Sequence, residues 1–392
     1  MGHAIAPGAR SVAAAARPDG RVNRRVAMSL VAAAPALLLA ACQRREALKL
    51  GFIAGLSGTA ADLGTGVYNG VQLAVEELNA AGGLNGHPVE LLVRDDRGEP
   101  ETVRRHVVEL AEREVELVIG PVTSSMALAA LDVAAQTGLV LFSPTATSDE
   151  LSDRDDHFLR SQSPLARLAE QHARHIYRSG ARRLALVVGT GNDQFSGNYE
   201  RVVRRTFTTL GGLVLTARRV GSGVVQSFAE VAALVLADAA DAVLTIASVA
   251  DTALFFHQLQ QTGKSQGIRS SAHWGDTPAL LKSGGAALEG LVVTQYFDPD
   301  GEQPAFVAFR DRYRRRYGED AGFAGIYGHD AARYVLSALA ARRRGQTVKE
   351  ALLQAGPVAG LQGPISLDAM GDGSRSVGLA EVRNGRLRAV RA

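Results

Sequence analysis

The sequence predicts an α/β protein with two doubly wound parallel-sheet lobes. Short apolar runs rich in β-branched residues alternate with amphipathic helical stretches, as in residues 115–151, where two such runs flank apolar positions at helical spacing. The alternation restarts after residues 158–164, which indicates a second lobe of similar build. At 392 residues, with 46% hydrophobic and 21% charged residues, the chain is long enough for two domains of common size.

The first 41 residues read as an export signal rather than as part of the fold. Arg24 and Arg25 precede an apolar run over 26–41 that is too short to span a bilayer, and small residues lead into Cys42, the only cysteine. The segment resembles a bacterial lipoprotein signal, in which this cysteine is acylated and becomes the mature N-terminus. We expect a lipoprotein signal peptide over 1–41, lipidation of Cys42 and an anchor linker over 42–47. A buried cysteine beside an uncleaved segment is the alternative.

The net charge of residues 42–392 argues against nucleic acid as a partner. Residues 1–41 hold five arginines and one aspartate, so they carry +4 of a chain whose net charge is +3, and the remainder carries −1. Binding to nucleic acid requires a concentrated basic face. We therefore expect no nucleic-acid partner.

The first run of elements starts with a strand at 48–54. A glycine-rich loop and a helix over 67–80 follow, then a turn cluster at 81–86, a strand at 89–93 and a helix over 101–113. The loop lacks the GxGxxG spacing of dinucleotide-binding folds, so it does not predict a nucleotide site.

The second run repeats this alternation. Helices are predicted at 165–179, 197–210, 226–237 and 250–262, and strands at 183–188, 213–217, 242–246 and 268–273. An extended segment at 290–297 precedes helices at 303–317 and 325–341 and a shorter one from 348. Strands at 365–368, 377–382 and 386–390 end the chain, the last two joined by an Asn384-Gly385 turn.

Hydroxyl residues follow both strands of the 115–151 unit. Ser124 and Ser125 open its helix, and Thr147 follows its second strand. Ligands of open parallel sheets lie beyond the carboxyl ends of the strands, and a helix N-terminus favours an anion, so these residues could hold a carboxylate. Serine and threonine are also ordinary helix caps, and Thr147 with Glu150 matches a capping box. Both readings stay open.

Several short motifs occur in a characteristic order from residue 48 to the C-terminus. They are Gly55-Leu56-Ser57-Gly58, Asn69-Gly70, Ala81-Gly82-Gly83-Leu84-Asn85-Gly86, Asp95-Asp96, Ile119-Gly120-Pro121, Ser143-Pro144-Thr145-Ala146-Thr147 and Gly363-Pro364-Ile365-Ser366-Leu367-Asp368. In this order they resemble the type I periplasmic solute-binding proteins of ABC transporters, specifically the branched-chain amino acid and amide group in its lipoprotein form.

The resemblance implies a fold of two lobes joined by three crossing strands, with solute in the cleft. The crossings should lie near 161–164, 292–297 and 358–363. Lobe 1 would then comprise 48–162 plus 293–358, and lobe 2 would comprise 163–292 plus 359–392.

The resemblance also implies the ligand site. Residues at the positions of Ser124, Ser125, Ala146 and Thr147 bind the α-carboxylate and ammonium of the ligand in this family, and an acidic residue of the second lobe completes the ammonium site. Asp276 matches that residue, although it could equally cap the helix start at Thr277-Pro278. The family often has Tyr where this chain has Phe195, and an aromatic residue near Ser248, so a preference for branched side chains is in doubt.

The function that follows is that of a lipid-anchored, extracytoplasmic or periplasmic solute-binding protein. It would capture an amino acid or related small solute and deliver it to the permease of an ABC importer, as a monomer without cofactor or metal. A sensor or an activator of cell-wall enzymes with the same fold is the alternative. An anchored hydrolase is disfavoured, because the sequence has no HExxH and the His172/His175 pair has a spacing typical of solvent-facing residues.

Overall fold

The computed structural model describes residues 46–390 except 266, 274–276 and 376. The signal segment 1–41, Cys42 and Asp276 lie outside the described residues. From Ala47 onward the chain forms one compact unit that contains two large sheets. Among the described residues, no helix combines the length and apolar character that a bilayer span requires.

The first lobe is built on a parallel five-stranded sheet with the order β2-β1-β3-β4-β5. Its strands are β1 Leu48–Ala54, β2 Val89–Asp95, β3 Val118–Ile119, β4 Leu141–Ser143 and β5 Phe158–Arg160. The helices between them are α1 Ala61–Ala80, α2 Pro100–Glu112 and α3 Ser124–Thr137. Apolar clusters cover both faces of the sheet, which is why its strands read as continuous apolar runs.

The second lobe is built on an eight-stranded sheet with the order β15-β14-β11-β10-β9-β6-β7, in which β8 also pairs with β6. Its helices are α4 Ala166–Arg178, α5 Asp193–Thr209, α6 Phe228–Ala237, α7 Val249–Gln261 and α8 Pro278–Gly284. Its strands are β6 Arg183–Gly189, β7 Leu213–Val214, β8 Arg218–Val220, β9 Ala242–Ile246, β10 Arg269–Ala272 and β11 Val292–Gln295. They also include β14 Gly378–Arg383 and β15 Arg386–Ala389, which pair antiparallel at one edge.

The chain then returns to the first lobe. Helices α9 Pro304–Tyr317, α10 Phe323–Ala341 and α11 Val348–Leu353 follow β11, and β12 Val358–Ala359 pairs with β13 Pro364–Ile365. Helix α10 supplies much of the apolar cluster on one face of the first sheet. Ile365 is fully buried in the same cluster, although the sequence assignment gave 359–392 to lobe 2. A two-residue strand carries no pattern that shows which core it joins.

Glycines allow α1 to pack closely against its neighbours. A Cβ at Gly70 would lie 2.0 Å from the carbonyl oxygen of Gly325, and one at Gly64 would lie 2.0 Å from that of Gly55. Gly64 and Gly66 are typical of a loop in the sequence, so the predicted helix started at 67, with Gly70 already inside it. In the structure α1 starts at Ala61. Glycine has a low helix propensity, but only glycine lets the backbone of this helix approach its neighbours so closely, so packing outweighs propensity here.

A buried ion pair joins β5 to the segment between β13 and β14. The side chain of Arg160, at the end of β5, is fully buried; its Nε donates to Asp372 Oδ1 at 2.7 Å and its Nη1 donates to the Ser148 carbonyl at 2.8 Å. Residue 372 belongs to the segment that leads from β13 to β14. The pair therefore ties the end of β5 to that segment.

Candidate ligand-binding site

A cavity of about 290 Å³ lies between the lobes. The first lobe contributes residues 59–66 and Thr123, and the second contributes residues around Gly189, Asn192 and 246–251. These segments follow the carboxyl ends of β1, β3, β6 and β9, where open α/β sheets bind their ligands. We call this cavity the cleft.

A recess of about 10 Å³ lies beside the cleft. The two share Leu63, Asn192, Phe195 and Phe323 as wall residues. The recess is further lined by Val122, Ser124, Thr145, Thr147, Gln162, His273, Tyr296 and Tyr327. The structure therefore brings three of the predicted site residues, Ser124, Thr147 and Phe195, to one place.

Ser124 joins the two loops that follow β3 and β4. Its hydroxyl is buried and accepts from the backbone N–H groups of Thr147 at 3.2 Å and Ser148 at 3.1 Å. The cap of α3 is Thr123, whose hydroxyl accepts from the Met126 N–H. The capping box expected between Thr147 and Glu150 is not formed, because Ser148 accepts from the Glu150 N–H at 3.3 Å.

Ser125 contacts the second lobe. Its backbone N–H and its hydroxyl both donate to Asn192 Oδ1, at 3.1 and 3.0 Å, and the hydroxyl accepts from the Gln194 N–H at 3.2 Å. Asn192 thus supplies the acceptor at the first turn of α3. Asn192 was not among the predicted site residues, since an asparagine before a helix is typical of a cap. In the structure its side chain makes no capping bond to α5.

Ala146 lies in the core rather than at the cleft. Its side chain is buried in the apolar cluster around α2 and α3, and its N–H donates to Ser143 Oγ at 3.1 Å. The neighbouring Thr145 reaches the recess instead. Any contact of Ala146 with a ligand would therefore be limited to its carbonyl. The sequence of a short loop does not show which of its side chains faces the core.

An aromatic wall surrounds the recess. The ring of Phe195 lies 4.6 Å from that of His273, and Tyr296 stacks on Phe323 at 4.6 Å. Tyr296 Oη lies 2.8 Å from His273 Nε2. These residues come from distant parts of the chain, so no local pattern predicted that they would meet.

The buried histidines near the wall are neutral. Burial lowers the pKa of His273 well below its usual range, so the ring offers hydrogen bonds but no positive charge at neutral pH. Burial also lowers the pKa of His172 to about 3, and its Nδ1 lies 3.0 Å from Tyr199 Oη. The expectation of a solvent-facing His172 is wrong, because this residue lies on the buried face of α4.

Ser248 lies at the cleft as the cap of α7. Its hydroxyl accepts from the Asp251 N–H at 3.1 Å and donates to Asp251 Oδ2 at 2.8 Å. Thr277, which also lines the cleft, caps α8 through the Leu280 N–H at 3.1 Å. The Thr277 hydroxyl is therefore the cap of this helix.

The outer cleft is acidic. Four carboxylates line it, and its described lining includes no lysine or arginine; the four are Asp62, Asp251, Glu319 and Asp320. Asp320 is also paired with Arg314. The cleft therefore suits a neutral or cationic group better than a second anion. No group of three possible metal ligands occurs among the described residues.

Comparisons with known proteins agree with this geometry. A periplasmic binding protein family model matches residues 47–386. The Leu/Ile/Val-binding protein BraC3 of Rhizobium johnstonii is 35% identical over 146 residues, which are 37% of this chain and only 40% of that protein. Leu/Ile/Val-binding protein homolog 7 of Brucella melitensis is 25% identical over 325 residues, or 78% of this chain and 79% of that one.

A solved structure shows the same fold. The leucine-binding protein LivK of Thermotoga maritima superposes with a TM-score of 0.78 at 26% identity, covering 88% of this chain and 98% of that one. The resemblance and the fold class inferred from the sequence are confirmed. The chain belongs to the periplasmic binding protein family.

Proposed function

We propose that this chain captures an amino acid or a related small solute in the cleft and delivers it to the permease of an ABC importer. The observation that carries the proposal is a cavity whose walls come from both lobes at the ends of four strands. Such a cavity binds a solute best when the lobes are closed, so solute binding shifts the population toward that state. The names of its relatives support amino acids as the solute class, and a binding role without catalysis.

The proposed solute contacts follow the two ends of an amino acid. The carboxylate would approach Ser124, Ser125 and Thr147, where backbone N–H groups and hydroxyls converge. The ammonium would pair with Asp276, the carbonyl of Ala146 would add a polar contact, and Phe195 and Ser248 would border the side chain. These assignments stay predictions.

A thermal-shift screen against amino acids, amides and small carboxylates tests the solute class. A ligand at a hundredfold excess over its Kd should add about 2.7 kcal/mol to the free energy of unfolding and raise the Tm. With the best ligand, Asp276→Ala should weaken binding roughly a hundredfold or more, because a buried ammonium would lose its partner. Unchanged binding, or a preference for an uncharged solute, would exclude the amino acid assignment.

The proposed location is extracytoplasmic, with Cys42 acylated and the residues before it removed. Cys42→Ser should leave an unprocessed or soluble precursor with the same thermal stability. Mass spectrometry of the membrane fraction measures this directly. An abundant membrane-bound form that retains residues 1–41 would contradict the proposal.

A further inference from the structure

A second cavity, of about 420 Å³, lies at the junction of the crossing segments, and we call it the hinge cavity. Helix α4 forms one wall, and residues 162–164, Tyr296 and Arg375 form the other. The hinge cavity shares no lining residue with the cleft. It does share Thr147, Gln162 and Tyr296 with the recess, so the two are separated by these side chains.

Three arginines of α4 line the hinge cavity, namely Arg167, Arg174 and Arg178. Their spacing of seven and four residues places them on one face of the helix, over about 16 Å of its axis. All three are exposed, and none pairs with a carboxylate among the described residues. The opposite face of α4 is buried in the second core, so the orientation of this row is set by packing.

The other charges of the lining do not neutralise the row. Glu170 is engaged by Arg205, whose Nη2 lies 3.2 Å from Glu170 Oε1. Arg375 pairs with Asp330 at 2.7 Å, and its buried Nε has no acceptor among the described residues. The hinge cavity therefore has a surplus of positive charge that the protein itself leaves uncompensated.

We propose that the hinge cavity binds a compact polyanion with two or more phosphate or carboxylate groups. Guanidinium groups bind such oxygens in bidentate pairs, and several arginines around one space favour multiple charge over a single one. The volume of the cavity falls within the range of small-molecule sites, roughly 300–1,000 Å³. The ligand chemistry is thus opposite in sign to that of the acidic cleft.

Binding at the hinge cavity is linked to the recess through the crossing segments. The Arg375 guanidinium lies 4.3 Å from the centre of the Tyr327 ring, and Tyr327 Oη donates to the Tyr296 carbonyl at 2.9 Å. Both tyrosines line the recess. A polyanion that prefers one arrangement of these segments changes the affinity of the chain for solute. By linkage, solute changes the affinity for the polyanion by the same factor. This linkage rests on the proposed function, whereas the polyanion site does not.

The test is calorimetric titration of the full-length chain with inorganic pyrophosphate at low ionic strength. We expect saturable binding of one pyrophosphate, weakened about tenfold by Arg174→Gln and further by also replacing Arg178, since each loses a charge-assisted contact. Arg344→Gln is the matched control: it removes the same charge from an exposed arginine outside the cavity and should leave the affinity unchanged.

Absence of saturable binding, or equal weakening by the Arg174 and Arg344 variants, would overturn the proposal. So would binding to vesicles of an anionic phospholipid without binding of free pyrophosphate, since that indicates a surface patch rather than a cavity. The linkage is measured separately, as the solute affinity with and without saturating pyrophosphate. If no solute is found, the pyrophosphate titration still decides the site.

Discussion

At the scale of single residues, the contact across the cleft depends on one asparagine. Asn192 is buried and accepts from both donors of Ser125, and its loss leaves those donors without an acceptor when the lobes are closed. Asn192→Ala should therefore weaken solute binding by about 1–3 kcal/mol, or roughly fivefold to a hundredfold. Calorimetry with the screened solute measures the loss.

Gln194→Ala is the control for this prediction. It removes an exposed amide side chain on the same helix, and the bond from the Gln194 backbone to Ser125 is kept. Equal affinity of the Asn192 variant and the parent chain would show that closure does not depend on this contact.

Asp96 makes the stability of the chain pH-dependent. Burial raises the pKa of this carboxyl to about 6, and only Oδ1 has a hydrogen-bond donor, the Gly98 N–H at 2.8 Å, among the described residues. Between about pH 4 and 6 the folded state keeps a proton that the unfolded chain has released, so this group reduces the free energy of unfolding as pH rises. The reduction is on the order of 3 kcal/mol at pH 7.

Asp96→Asn should lessen this dependence, since the amide has no charge to bury and its oxygen still accepts from Gly98. Urea unfolding of both chains at pH 4.5 and pH 7 measures this. The free energy of unfolding of the variant, relative to that of the parent, should be higher at pH 7 than at pH 4.5. Asp132→Asn, at an exposed position of α3, serves as the control. If the free energy of unfolding changes between pH 4.5 and pH 7 by the same amount in the parent and in the Asp96 variant, the assignment is refuted.

At the scale of elements, the pairing of α1 with α10 depends on glycine. A Cβ at Gly70 would meet the Gly325 carbonyl and the His329 nitrogen, both backbone atoms that cannot move aside. Gly70→Ala should therefore destabilise the chain by about 1–3 kcal/mol despite the higher helix propensity of alanine. Gly197, inside α5, has nothing within 4 Å of its Cβ position, and Gly197→Ala should stabilise by roughly 0.5–1 kcal/mol.

Chemical unfolding of the two variants makes a direct comparison. The substitution is the same and both sites are helical, so opposite signs isolate the effect of close packing from that of propensity. A Gly70 variant as stable as the parent would show that the helices can separate without cost.

At the scale of the whole molecule, the structure has its lobes in contact at the cleft. Besides the Ser125 bonds, the Asp149 N–H donates to Asn198 Oδ1 at 3.1 Å and Arg201 lies 3.3 Å from Glu150. The exposed Arg201–Glu150 pair adds little, about 0–1 kcal/mol. Solute that bridges both lobes should therefore be the main force for closure, and solution scattering should show a smaller radius of gyration when it is added. A confirmed solute that leaves this radius unchanged would indicate a site on one lobe.

The alternation of apolar runs and amphipathic stretches can be read along the amino-acid sequence, and it predicted the α/β class and most helices and strands. Residues such as Leu50 and Val187 lie in strands buried on both faces, and an uninterrupted apolar run is a local property that can be read along the chain. The motif order was equally readable, since it requires no knowledge of contacts. Local signals failed where glycine served packing instead of a turn, as at the start of α1.

Which side chains meet depends on the folded arrangement of the chain, and local patterns did not reveal it. Ser124, Phe195 and Tyr296 converge on one recess, Ala146 faces the core beside it, and Asn192 crosses between the lobes. The residues that line this recess include Ser124 and Tyr296, which are 172 positions apart in the chain. Their interaction energies depend on distance in space and not on distance along the chain. A serine or threonine after a strand can cap a helix, hold a loop in place or bind a solute. Which of these roles it has depends on the residues around it in the fold and not on its residue type.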